Sequence, residues 1–293
     1  MNDANDIQTL TLWRGDVEVA PLSGGITNRN FLVTDSRGRY FVRLGEDIPL
    51  HGVMRFNELQ ASLAAAELGL SPKVLHHQPG VLVLEFIEGE TLSAEDVRRP
   101  AHLSQIVTLL RTTHQKMKHT VRGPALTFWV FHVIRDYVAT LTNANSRMAA
   151  QLPGLLEKSV HLESAVGQID LVFAHNDLLA ANFIDDGHRL WLIDWDYAGY
   201  NSPLFDLANL AANNDLSKEQ EIWLREAYFE DHAPVQLSRS LQAMKCASTL
   251  RESMWSMVSE IYSSVDFDFV SYTEENLARF ENQWSLFREM GGA

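Results

Sequence analysis

The chain has 293 residues, 46% of them hydrophobic and 21% charged, a globular composition long enough for one large domain or two lobes. Its 38 acidic residues outweigh 24 Lys and Arg, and the resulting formal charge of −14 disfavours nonspecific binding to duplex DNA or an anionic membrane. The one cysteine, Cys246, excludes intrachain disulfides, cysteine zinc clusters and iron–sulfur sites, and fits a reducing cytoplasm.

The N-terminal segment MNDANDIQTLTLW is polar and acidic, unlike a signal peptide. No apolar run approaches the roughly 20 residues of a membrane span. A cytoplasmic location without membrane insertion is therefore expected. Residues 17–22 alternate as a strand and end at Ser23-Gly24-Gly25. Residues 30–34 and 40–44 are β-rich runs around Asp35-Ser36-Arg37-Gly38, a hairpin turn signal. Leu59, Leu63, Ala66 and Leu70 then keep helical spacing, stopped by Gly69 and Pro72. Residues 81–86 read as a further short strand, broken at Glu88-Gly89-Glu90. From about residue 93 the helical period dominates, with stripes at Leu103, Ile106, Val107 and Leu110 and helices over 128–141 and 152–166. Two short β-rich runs, 171–174 and 189–194, interrupt it around a dense polar stretch, and helices return from Pro203. A hinge is expected near residues 87–92, with a ligand cleft between lobes.

The chemistry gathers in residues 175–206, HNDLLAANFIDDGHRLWLIDWDYAGYNSPLFD. Asp177 stands five residues before Asn182, and Asp194 follows twelve residues after Asn182, behind a short hydrophobic strand. An Asp, an Asn at that offset and a second Asp make the arrangement used for phosphoryl transfer from Mg-ATP. The triphosphate is strongly anionic, so its charge must be held by metal ions. Mg²⁺ takes hard oxygen ligands, typically one or two of them from protein carboxylates and amides. Asn182 and Asp194 supply such oxygens, and Asp177 would accept the proton of an attacking hydroxyl.

This block resembles the aminoglycoside phosphotransferase and choline kinase superfamily, and most of all its choline/ethanolamine kinase branch. The other matching residues are LSGGITN at 22–28, FVRL at 41–44, Glu58, IDWDYAGYNSPLFDLAN at 193–209, and Trp255 followed by DFDFVSY at 266–272. The resemblance implies an α+β, bilobal, protein-kinase-like fold. A small antiparallel-sheet lobe with one helix (residues 1–88) would bind nucleotide. A larger, mainly helical lobe (residues 89–293) would carry catalysis and substrate. It also implies ATP and Mg²⁺ as cofactors, Asp177 as catalytic base, Asn182 and Asp194 as metal ligands, and Asp206 as a brace of the catalytic loop. Ser23, Gly24, Gly25, Thr27 and Asn28 match the loop over the phosphates. Arg43 sits where related kinases place a phosphate-contacting lysine, and Glu58 where its helix partner sits. Glu85, Phe86 and Ile87 match the linker that meets adenine. Asp196, Tyr197, Glu252, Trp255 and Tyr272 would line the acceptor pocket. Asp196 is shorter than the Glu common at its position, and Glu252 stands where some choline kinases carry a second Trp.

The implied activity is ATP-dependent phosphorylation of the hydroxyl of a small amino alcohol, choline or ethanolamine, by a monomer or homodimer without a nucleic-acid partner. The alternatives are a kinase for an aminoglycoside, thiamine or a sugar alcohol, and a nucleotide-binding protein without turnover. Several residues keep a plainer reading at this point. Ser23-Gly24-Gly25 is also a common turn, and Arg43 also suits a strand surface. Glu58 also suits a solvated helix position. Trp255 shares a helical apolar face with Met254, Met257, Val258 and Ile261 and so also suits a core. His175 is expected to orient the loop by hydrogen bonding. His76 and His77 are expected at the surface, because neighbours on an extended segment face opposite ways. Cys246 is expected to be a small buried helix residue.

Overall fold

Alternating apolar residues build the first sheet of this chain, whose computed structural model describes residues 3–22, 28–230 and 237–291. Strands β1 (Glu18–Leu22), β2 (Arg29–Asp35), β3 (Gly38–Leu44), β4 (Val74–Gln78) and β5 (Val81–Glu85) pair antiparallel in the order β1-β2-β3-β5-β4. At the β2–β3 turn the Asp35 carboxylate accepts from Arg37 N at 2.7 Å and Arg14 N at 2.9 Å. The turn is thereby closed by a side chain that copies a backbone acceptor. β4 was not expected as a strand. Its sequence, VLHHQ, lacks apolar alternation because it is an edge strand with His77 and Gln78 exposed, and its pairing with β5 shifts register between Val74 and His76. A short helix α1 (Asp3–Gln8) also went unread in the polar N-terminal stretch. Its one buried residue, Ile7, joins Trp13, Val33, Val42, Leu44 and Val83 in a small core against the sheet.

Helix α2 (Arg55–Glu67) lies where the leucine spacing placed it, but on a different face. The buried residues are Asn57, Glu58, Ala61, Ser62, Ala64 and Ala65, while Leu63 is exposed. The reason is packing. Ala61, Ala64 and Ala65 belong to the large core of the rest of the chain, and small side chains let α2 approach it closely. The helix ends at Gly69, whose φ of 69° suits a residue without Cβ.

Beyond the sheet, β6 (Glu90–Thr91), β8 (Phe183–Asp185) and β9 (Leu190–Leu192) form one ribbon, and β7 (Val172–Ala174) pairs with β10 (Gly199–Asn201) in another. Gly89, entering β6, passes the Asp185 carbonyl so closely that a Cβ would lie 2.5 Å from its oxygen. The remaining elements are helices α3 (Ala94–Val97), α4 (Pro100–Thr120), α5 (Val130–Asn143), α6 (Leu152–Val166), α7 (Pro203–Asn213), α8 (Lys218–Phe229), α9 (Leu237–Tyr262) and α10 (Phe269–Glu289). α9 is the axis of this part. Leu241, Met244, Leu250, Met254 and Val258 are all buried along it, and α5, α6, α7 and α10 pack around it. The result is an antiparallel sheet with a helix at one end and a mainly helical body at the other, the kinase-like α+β architecture expected from the sequence.

Candidate active site

The polar stretch 175–182 leaves β7, and one buried carboxylate shapes it. Asp206, in the first turn of α7, accepts from His175 N at 2.9 Å and Asn176 N at 2.7 Å. It also accepts from His114 Nε2 on α4 at 2.8 Å. Burial alone would raise the Asp206 pKa, but the hydrogen bond and charge of His114 and the loop bonds hold it below the usual carboxylate value. Asn176 adopts a left-handed backbone, φ 68°, costly for a residue with a Cβ. Its side chain holds it there. Nδ2 donates to Tyr197 O at 2.9 Å, and Oδ1 accepts from Asn201 Nδ2 at 2.8 Å. Asp177 follows directly.

Asn182 and Asp194 are tied to the same frame. Asn182 Nδ2 donates to Asp177 O at 2.7 Å, and Ile193 N donates to Asn182 O at 3.0 Å. Buried His175 donates from Nε2 to Ile193 O at 2.9 Å, accepts at Nδ1 from Asp177 N at 3.3 Å, and packs edge-on to Trp195. Burial depresses its pKa, so it is a neutral hydrogen-bonding post, as expected. Asp194 is also left-handed, φ 65°. The structure therefore brings Asp177, Asn182 and Asp194 together on one hydrogen-bonded frame. Burial pushes the Asp177 carboxyl up to about 7, against the lowering effect of the nearby Arg251 charge.

A cluster of ion pairs joins this frame to the sheet. Arg43, on β3, pairs with Glu58 of α2 and reaches Asp196 at 2.7 Å. Arg43 and Glu58 are 5% and 2% exposed, so neither is the surface residue that the plainer readings allowed. Arg43 Nη2 also stands 3.3 Å from Asp194 Oδ1. That distance allows charge pairing, but the alignment gives no hydrogen bond, and this buried oxygen has no hydrogen-bond partner among the described residues. Arg55 was missed in the sequence. It donates to Glu58 Oε2 at 2.7 Å, Asp196 Oδ1 at 2.8 Å and Asn28 Oδ1 at 2.7 Å. Its position three residues before Glu58 on a helix was the available signal. The Asp196 carboxylate, expected at the acceptor pocket, is bound by Arg43, Arg55 and Asn28 Nδ2, the last at 2.9 Å. Burial would raise its pKa, yet the two guanidiniums hold it down.

Near the start of α10, Tyr272 Oη donates to Glu252 Oε1 at 2.9 Å, and the Trp255 and Tyr272 rings lie 6.4 Å apart. Trp255 is also 6% exposed and part of the large core, so the packing reading holds for most of its surface. Arg251, one residue before Glu252, was not singled out from the sequence. Its guanidinium sits 4.3 Å from the Tyr197 ring centroid and donates to Glu252 Oε2 at 2.8 Å. Glu85 ends β5, and Arg39 covers the Phe86 ring at 4.6 Å. Ile87 follows outside the strand. Ser23, Gly24, Gly25 and Thr27 lie outside the described residues. Cys246 is buried, its thiol pushed up to about 12 by burial.

His51 packs against the Trp255 ring at 5.3 Å, meets Tyr137 Oη at 3.0 Å, and is held down to about pKa 4 by burial and by Arg251. An unfolded histidine titrates near 6.5, so between about pH 6.5 and 4 the unfolded chain binds a proton that the folded one refuses. Stability therefore falls as pH drops through that window. Relative to His51→Gln, the parent should lose about 2 kcal/mol more between pH 7 and pH 5. Urea melts of both proteins at the two pH values measure it, and parallel losses would remove His51 from the account.

The fold and this loop define a kinase-like phosphotransferase with an alcohol acceptor. The chain belongs to the choline/ethanolamine kinase family, whose model matches residues 19–230. It is 32% identical over 212 residues to protein LicA of Haemophilus influenzae, covering 70% of this chain and 61% of LicA. A choline/ethanolamine kinase family protein from Mesorhizobium loti superposes with a TM-score of 0.79 at 27% identity, over 96% of this chain and 93% of that one. A spectinomycin phosphotransferase, solved with ADP and spectinomycin, shares the fold at a TM-score of 0.64 and 13% identity, over 91% of this chain and 92% of that one.

Proposed function

We propose that this protein transfers the γ-phosphoryl group of ATP to the hydroxyl of a small amino alcohol, choline or ethanolamine, with Asp177 as the base. The observation that carries the reading is the single frame holding Asp177, Asn182 and Asp194, with a buried Asp194 oxygen that has no hydrogen-bond donor among the described residues. Residues 1–88 serve the nucleotide, Glu85–Ile87 meeting the adenine, and residues 89–293 serve the acceptor.

The donor set fits Mg²⁺. Asn182 Nδ2 is spent on Asp177 O, which leaves its amide oxygen to a cation, and Asp194 Oδ1 is a hard anionic oxygen that, among the described residues, is charge-paired with Arg43 but accepts no hydrogen bond. Bound there, the metal offsets charge on the phosphates as it develops in transfer. Asp177 accepts the proton of the acceptor hydroxyl and so aims that oxygen at the phosphorus. Arg43 supplies fixed positive charge beside Asp194, and Glu58 keeps its guanidinium in place. Asp206 and Asn176 hold the loop that carries Asp177. The test is ADP release in the presence of choline, ethanolamine, thiamine and aminoglycosides in turn. Release with an amino alcohol is expected, and release with only the other alcohols would replace the reading. Asp194→Ala should weaken nucleotide binding with Mg²⁺ and leave binding without it nearly unchanged. Equal Mg²⁺ dependence in parent and variant would remove Asp194 from the metal site.

A further inference from the structure

A trimethylammonium head has no N–H, and open aromatic faces hold it. A primary ammonium is compact and carries three donors, so directed hydrogen bonds to a carboxylate hold it best. The two heads need different walls, and the wall beside Asp177 is of the second kind.

Two of its rings, Tyr197 and Trp255, already carry a partner over one face. The Arg251 guanidinium lies 4.3 Å from the Tyr197 centroid and 5.7 Å from that of Phe128. His51 lies against Trp255 at 5.3 Å and 36° between planes. Phe269 and Tyr272 meet the same indole edge-on at 5.9 and 6.4 Å. Arg251 is 3% exposed, cannot lose its proton, and is anchored to Glu252 Oε2 at 2.8 Å. Its Nε and Nη2 have no hydrogen-bond partner among the described residues, as suits a guanidinium laid over rings. A fixed cation at this place repels a second one. Direct hydrogen bonding to an anion offsets that repulsion, and a quaternary head, whose methyl groups keep its charge away from oxygen, cannot make such bonds. Glu252 is the anion in reach. Tyr272 Oη and Arg251 Nη1 each use one lone pair on a different oxygen, which leaves each oxygen able to accept again. The Glu252 side chain is 22% exposed, so a ligand can approach it.

Resting on the amino-alcohol reading above, we propose that Arg251 and Glu252 make this site selective for a primary-amine alcohol of the ethanolamine type, Arg251 filling the aromatic seat that a quaternary ammonium needs. The two residues sort substrates by the donors on nitrogen rather than by overall charge, which ethanolamine and choline share. Arg251 acts here by exclusion and Glu252 by attraction, the pairing that specificity commonly requires.

The full chain, with saturating Mg-ATP, is assayed by ADP release on ethanolamine, its N-methyl and N,N-dimethyl derivatives, and choline. kcat/KM is expected to fall at each methylation, by about 30-fold across the series. Arg251→Met frees the Tyr197 face and should raise the choline-to-ethanolamine ratio by about tenfold or more. Glu252→Gln should raise the ethanolamine KM about tenfold more than the choline KM. A flat series in the parent, or a parent preference for choline, overturns the selectivity while leaving the amino-alcohol reading standing. An unchanged ratio in both variants overturns the roles of these two residues. No ADP release with any of the four substrates overturns the amino-alcohol reading and this inference together. If Arg251→Met does not fold, the parent series and Glu252→Gln decide the matter alone.

Discussion

Replacing Asp177 by Asn is expected to lower kcat by about 10²–10⁴-fold while ATP affinity stays within about twofold. The amide keeps the size of the carboxylate but cannot accept the hydroxyl proton. The surrounding bonds predict that the loop will not move, because Asp177 is positioned through its backbone. Its carbonyl accepts from Asn182 Nδ2 at 2.7 Å, and its N–H points at His175 Nδ1. The same residue sets the pH dependence. Burial raises its pKa to about 7, so the free enzyme holds a mixture of base and acid near neutrality. kcat/KM should therefore rise with pH through about 7 on its acid side, since only the ionised form can take a proton. Steady-state rates from pH 5.5 to 8.5 for parent and variant check both points. Turnover in Asp177→Asn near the parent level removes the residue from proton transfer, and an acid limb that persists in the variant assigns the titration elsewhere.

The polar loop was legible as a unit because its chemistry-bearing side chains are compressed into one segment. His175, Asp177, Asn182, Asp194 and Asp206 all fall within 175–206, and the bonds that tie this segment together span 31 residues of chain at most. Arg43 and Glu58 were readable only by resemblance. Their partnership bridges a strand and a helix, and nothing local marks either residue as buried. Arg55 and Arg251 went unread for a related reason. Each is a cation that pairs with a neighbour in sequence but also meets a group from elsewhere in the fold, the Asp196 carboxylate in one case and the Tyr197 ring face in the other. A nearby glutamate on the same helix signals an ion pair but does not show which distant group the guanidinium will also meet. The face of α2 was misread because leucines outweigh alanines in a hydrophobic pattern, whereas close approach to a core favours the alanines. Edge strand β4 lacked alternation for the opposite reason, since an edge needs little burial. Asp196 was placed by analogy on the acceptor side. Its short side chain instead closes onto Arg43 and Arg55, the nearest cations.

Asp206→Ala is expected to cost both stability and turnover, and more of each than any surface change. The side chain is fully buried, and its two oxygens accept from His175 N, Asn176 N and His114 Nε2. Deleting it leaves all of these buried donors without their acceptor, and breaking one side of a buried polar network typically costs about 3–5 kcal/mol. For a chain of this size that loss should lower Tm by about 10 °C. The loop is left with a left-handed Asn176 whose main-chain anchor has gone, so Asp177 no longer holds one position. Asp206→Asn separates the two effects. Its amide keeps one acceptor oxygen, for one loop N–H or for His114, and turns an NH2 group toward the other donors. Tm should recover in part, but kcat at saturating substrates should stay at least about tenfold below the parent, because positional error at a reacting group is costly. Circular-dichroism melts and single-substrate titrations at a temperature where all three proteins are folded give both numbers. If kcat returns with Tm in the Asn variant, Asp206 acts on stability alone, and the placement of Asp177 rests on Asn176 and its side-chain bonds to Tyr197 and Asn201.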